Sequence, residues 1–179
     1  MKAVILEVPQ ALLEERRRLG HDRFDEMWDG VLHMVPPPLG WHQGLAARLM
    51  VVLGPIALAR DMVPFNEVGF YRLTDDYRQP DLAFARPENV VRRGIEGDVP
   101  LVVEIRSPHD ETDEKLPWYL AQGVAEILVT DPETRAVELF TPTGGSEGMV
   151  ELATLGGVRL EVVDGPRLRL TWDGGSAEI

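Results

Sequence analysis

Glu104, Asp81 and Lys115 are the residues of this chain best suited to chemistry. Glu104 stands in the run LVVEIR at 101–106. Side chains alternate between the faces of a strand, so Leu101, Val103 and Ile105 share one face while Val102, Glu104 and Arg106 share the other. A glutamate among apolar neighbours is rarely enclosed unless it is paired or ligated. Lys115 lies eleven residues further on and is, with Lys2, one of only two lysines; the other 16 of the 18 basic residues are arginine. Arginine is a planar fork that stays protonated, whereas lysine is a compact charge whose pKa can be tuned. Asp81 follows Pro80 and opens a second strand-like run, DLAFA at 81–85. Two acids and a lysine arranged this way resemble a metal-dependent nuclease site. Each also has a structural reading. Glu104 could sit on an edge strand or pair with Arg106, Asp81 could bond its own backbone in a turn, and Lys115 could pair with the surrounding acids.

The elements that must position these residues are marked by periodicity and by proline and glycine. PQALLEERRRL at 9–19 reads as a short helix with Pro9 at its start and Gly20 at its end. Its arginine triplet is a solvated face before it is a phosphate contact. FDEMW and VLHMV flank Asp29-Gly30, a hairpin signal. After Pro36 to Pro38, apolar residues Leu45, Leu49, Val52 and Leu53 predict a helix from Trp41 toward Ala59, with a kink or break at Pro55. VPFNEVGFYRL at 63–73 reads as one long strand, 86–100 as a charged loop, and 101–105 as a strand ended by Ser107-Pro108. The next helix is expected near 113–122, capped by Thr112 or Asp113. Pro117 implies that it begins close to Lys115, because proline is tolerated in a first turn. Strands follow on both sides of Asp131-Pro132-Glu133. Two or three more are expected between Met149 and Trp172, with GGSAEI frayed at the end.

Composition narrows the class. At 179 residues the chain reads as one domain with a sizeable core. No apolar run approaches the roughly 20 residues that span a bilayer, and the first ten residues lack the form of a signal peptide. The lack of cysteine excludes disulfides, thiolate nucleophiles and thiolate metal sites, and fits a cytoplasmic protein. The net charge of −12 argues against a surface that grips duplex DNA by itself. From Glu96 to Glu114 there are seven acids against Arg106 alone. A phosphodiester would approach that stretch only with metal cations present.

Several separated motifs, in order, carry a resemblance. They are Glu26 with Asp29-Gly30, the helix opening at His42, QPDL at 79–82, PLVVEIRSP at 100–108, the acidic stretch to Lys115, Tyr119 with Gly123-Val124, and VTDPE at 129–133. Together they resemble the PD-(D/E)XK nuclease superfamily and, within it, the Uma family of endonucleases, over roughly residues 9–141. The resemblance implies an α/β fold, a restriction-endonuclease-like mixed β-sheet flanked by helices with extra strands at the C-terminus. The whole chain would form a single nuclease-like domain with its core at about 24–141. It implies that Asp81, Glu104 and the Ile105 backbone carbonyl bind Mg²⁺ or Mn²⁺, with Asp81, Glu104 and Lys115 catalytic. In the superfamily motif the lysine stands two residues after the glutamate. Arg106 holds that slot here, and Lys115 matches a lysine displaced onto the following helix. Glu26, His42 and Arg106 are accessory candidates. The expected activity is metal-dependent hydrolysis of phosphodiester bonds in DNA by a cytoplasmic homodimer with no membrane partner. The competing expectation is a nuclease fold that no longer cuts and serves as a binding or assembly module.

Overall fold

The computed structural model of the chain describes residues 3–5, 8–108 and 111–179. Lys2 lies outside them. Among the described residues, three helices, α1 (Gln10–Leu19), α2 (Gly40–Leu58) and α3 (Thr112–Ala121), accompany three sheets. The six-stranded sheet runs in the order Gly144–Glu147, Val137–Thr141, Glu126–Thr130, Leu101–Ile105, Leu82–Ala85, Val63–Asn66. Its one parallel pair, Leu101–Ile105 beside Glu126–Thr130, is joined by α3, because parallel neighbours need a crossover. Glu104 is therefore on a central strand and not at an edge.

Both faces of that strand are covered, as the alternation requires. Leu101, Val103 and Ile105 pack with Leu45, Leu49 and Leu53 of α2 and with the C-terminal sheet. Val102 packs on the other side with Leu116 and Tyr119 of α3. Leu49 and Leu53 are fully enclosed, so truncating either to alanine costs about 2–5 kcal/mol. A seven-stranded sheet built around the Glu26–Trp28 and Val31–Met34 hairpin lies on the α3 side through Phe70 and Ile95. Asp29 and Gly30 turn that hairpin at φ 47° and 84°.

Several expectations need correction. The run 63–73 is two strands in different sheets, Val63–Asn66 and Phe70–Leu73, because the chain turns at Glu67, φ 48°. The loop 86–100 contains a 3₁₀ turn and a small hairpin, Val90–Val91 with Gly94–Glu96. α2 runs unbroken through Pro55, and α3 starts three residues before Lys115, with Glu111 at its N-cap and Pro117 inside. A proline costs a helix one hydrogen bond to the carbonyl four residues back. The residues concerned, Val51 and Asp113, are both exposed, so water can take that carbonyl. The glycine-rich end is not frayed. Gly175–Glu178 pairs with Arg167–Trp172, and Ile179 exchanges two 2.9 Å backbone bonds with Leu168.

Candidate active site

The strand–helix–strand unit places Glu104 and Lys115 together. Glu104 is the fourth residue of its strand and only 3% exposed. Lys115 is the fourth residue of α3, and Tyr119 follows one turn later on the same face. Lys115 Nζ lies 3.5 Å from Glu104 Oε1, and the Tyr119 hydroxyl donates to that same oxygen at 2.5 Å.

Glu26 completes this cluster from the hairpin, enclosed instead of solvated at 1% exposure. Its Oε1 sits 2.8 Å from Lys115 Nζ and accepts the Gln79 backbone N–H at 2.9 Å. Its Oε2 accepts the Trp28 indole N–H at 2.7 Å. Trp28 is in turn fixed by stacking on His33, ring centroids 4.0 Å apart, and by the Arg78 guanidinium, which lies between Trp28 and Trp118. The three acids nearest Lys115 govern the electrostatics. Burial pushes the Glu104 carboxyl up and the charges of Asp81 and Glu26 add to this, against the opposing pull of Lys115 and Tyr119. Burial works against the Lys115 ammonium too, but Glu104 and Glu26 outweigh it and raise its pKa. The lysine is thus held charged. Its distinction from arginine at this position is compactness, not the tunability that its rarity suggests.

Asp81 stands at the bend before the Leu82–Ala85 strand. Its Oδ2 accepts the Ile105 backbone N–H at 2.6 Å and lies 3.1 Å from His42 Nε2, near the start of α2. Burial disfavours the charged imidazole, but Asp81, with Glu104 behind it, holds the His42 pKa above its ordinary value. The turn at Glu67 buttresses this side. The Glu67 N–H donates to the Asp81 carbonyl at 3.1 Å, the Gln79 amide donates to the Glu67 carbonyl at 2.6 Å, and Gln43 bonds the Glu67 carboxylate.

All of these acids open on one cleft of about 550 Å³. It is lined by Glu26, Asp81, Glu104, Ile105, His42 and Lys115 and by an apolar set, Phe24, Met34, Val35, Pro36 to Pro38 and Leu39. Arg106 is not among the lining residues. It is tied to Asp113 and Glu138 at 3.1 Å each, beyond the end of its strand. The structure thus brings Asp81, Glu104, Lys115, Glu26 and His42 together and leaves Arg106 outside. Among the described residues no group of three or more His, Asp or Glu side chains is arranged to hold a metal. Sequence reasoning missed Gln43 and Glu67, and gave Trp28, Gln79 and Tyr119 no role. For Glu67 a signal was present, since the Asn66 and Gly69 around it are turn residues.

A mixed sheet whose one parallel pair is bridged by a helix, with acids gathered at the strand ends, defines a restriction-endonuclease-like α/β protein. The chain belongs to the Uma2 family, "Putative restriction endonuclease", whose model matches residues 13–171. It is similar in fold to the crystal structure of "a putative nuclease belonging to DUF820" from Anabaena variabilis ATCC 29413. That likeness has a TM-score of 0.60 and 18% identity over 69% of this chain and 75% of the other. The cryo-EM structure of a DrdV–DNA complex matches at a TM-score of 0.41 and 15% identity, over 64% of this chain and 10% of that one. No curated protein matches the chain. Among the described residues no helix is long and apolar enough to cross a membrane.

Proposed function

We propose that the protein is a Mg²⁺- or Mn²⁺-dependent endonuclease that hydrolyses phosphodiester bonds in DNA. One observation carries this reading. Lys115 and Tyr119 both contact Oε1 of Glu104, while His42 and the Ile105 N–H both contact Oδ2 of Asp81. Glu104 Oε2 and Asp81 Oδ1 carry none of these four contacts, although both carboxylates line the cleft. Hard divalent cations take oxygen ligands, and Mg²⁺ commonly uses only one or two carboxylates, completed by water and substrate phosphate. The donor set fits: Asp81 and Glu104, with the Ile105 carbonyl, would hold the ion. The charge balance fits as well, since five acids line the cleft against Lys115 and His42. A bound divalent ion supplies Lewis acidity toward the phosphate and lowers the pKa of water.

The remaining work falls to the chain. Lys115 Nζ, kept protonated, donates toward a phosphate oxygen as negative charge develops there. Glu26 fixes the direction of that ammonium, and Trp28 and the Gln79 N–H fix Glu26. Tyr119 holds the Glu104 carboxylate in one orientation, and His42 does the same for Asp81. The test is cleavage of varied DNA substrates with Mg²⁺ or Mn²⁺, alongside calorimetry of metal binding. Cleavage is expected from the unsubstituted protein and not from Asp81→Asn, Glu104→Gln or Lys115→Ala. Absent metal binding, together with equal behaviour of all four proteins on DNA, overturns the catalytic reading in favour of a binding module.

A further inference from the structure

We infer that the cleft accepts an unpaired DNA strand, with bases laid against its proline-rich wall, and not an intact duplex. The inference rests on the nuclease reading above and specifies its substrate. The groups that would act on a phosphate are recessed: the side-chain exposures of Glu104, Lys115 and Asp81 are 4%, 13% and 17%. A scissile phosphate must therefore enter the cleft. At about 550 Å³ the cleft falls within the range of small-ligand sites, roughly 300–1,000 Å³, which suits nucleotides of one strand.

An apolar wall of the cleft consists of Met34, Val35 and the segment Pro36 to Leu39. Three successive prolines have fixed φ, which limits how this wall can bend. It is also apolar and open to solvent, with Leu39 at 57% exposure. Trp41, 77% exposed, follows Leu39 by two residues at the start of α2, beside the cleft lining and not part of it. Duplex binding draws its affinity from Lys and Arg set along two phosphate backbones. Among the described lining residues Lys115 is the one such side chain, and it is engaged by Glu26 and Glu104. Unpaired strands also need positive charge along their one backbone, but they draw a further share of affinity from aromatic and apolar surfaces on which bases stack, and every base offers such a face.

The experiment is equilibrium binding of the Glu104→Gln protein, in Mg²⁺, to one labelled oligonucleotide presented either unpaired or as a duplex. The unpaired form is expected to bind at least about tenfold more tightly. Trp41→Ala, at an exposed position, is expected to weaken unpaired binding about tenfold, as loss of one stacking platform does. Trp41→Phe is expected to retain most of it, and Leu39→Ser to weaken it by a smaller factor. Equal or tighter binding of the duplex, binding of neither form, or no effect of Trp41→Ala overturns the inference. Binding is measured here without cleavage. An unpaired preference in a protein whose unsubstituted form cuts no DNA refutes the nuclease reading and leaves the binding surface standing.

Discussion

Two glutamates lie buried on adjacent parallel strands of the central sheet, and they have opposite surroundings. Glu126, 6% exposed, opens its strand opposite Leu101. Its carboxylate accepts the backbone N–H groups of Ala153 and Thr154 at 2.7 and 3.1 Å and the Thr154 hydroxyl at 2.5 Å. It caps the 3₁₀ turn Ala153–Leu155 and so fastens the C-terminal sheet to the core. Glu104, at the other end of the neighbouring strand, shares its surroundings with Asp81 and Glu26 and opens on the cleft. Burial of a carboxylate alone therefore identifies no function. Neutral donors aimed at Glu126 mark a fastening; further acids beside Glu104, opening on a cleft, are what the proposed metal-dependent function uses.

Exchanging the two glutamates' fates is the strongest way to break this contrast. Glu104→Gln is expected to lower metal-dependent cleavage on the order of 10³-fold, as loss of a charge-stabilising group does, with the fold intact by circular dichroism. Substantial cleavage by this variant would merge the two residues into one structural class. Lys115→Arg sharpens the point. The ammonium sits between Glu26 and Glu104 at 13% exposure, and a guanidinium in its place is larger and planar. Cleavage is expected to fall about 10²-fold, whereas a role for charge alone leaves it unchanged.

Glu126→Ala has the reverse profile. It strands three donors and is expected to cost about 2–3 kcal/mol, read as a Tm lower by roughly 5–10 °C, with cleavage at 25 °C retained. Asp76 provides a control outside the cleft. It is buried and bound by Arg78 at 2.8 Å and the Trp118 indole at 2.9 Å. Burial opposes its ionised form, but Trp118 and Arg78 prevail and hold its pKa below the aspartate range. Because the folded value is lowered, its stabilisation is complete above the unfolded value of about 3.9 and is lost as pH falls through the folded one. Acid unfolding of Asp76→Asn is expected to lack this part of the pH dependence. The smallest effect belongs to Arg106→Ala: cleavage within about threefold and stability within about 1 kcal/mol, since its ion pairs are partly exposed.

What could be read from the sequence was what local chemistry dictates. The alternation at 101–105 gave the two packed faces, Asp29-Gly30 gave the hairpin, and the order of motifs gave the family. Contacts far apart in sequence were less legible. Glu26 reads as a hairpin surface residue because its partner, Lys115, is brought to it only by tertiary packing. The strand break at Glu67 is marked in sequence by the turn residues Asn66 and Gly69 and by a shift of the apolar alternation from Val63 and Phe65 to Val68 and Phe70, and it is fixed by bonds to Gln79 and Asp81 that only the fold reveals. Pro117 misled about where α3 begins, since its cost depends on whether water reaches one carbonyl, and only the fold decides that. Arg106 had the right spacing for the lysine slot, yet Glu138, on a strand still to come, draws it away.

The placement of Lys115 and Tyr119 one turn apart on the crossover helix has a consequence for heredity. Glu104 and both of its donors come from a single stretch of sixteen residues, 104–119, so this part of the site is inherited as a cassette. A one-residue insertion or deletion within α3 before Lys115 would swing both donors about 100° around the helix axis together. Substitutions alter its members singly, but a change of length before Lys115 moves both donors at once.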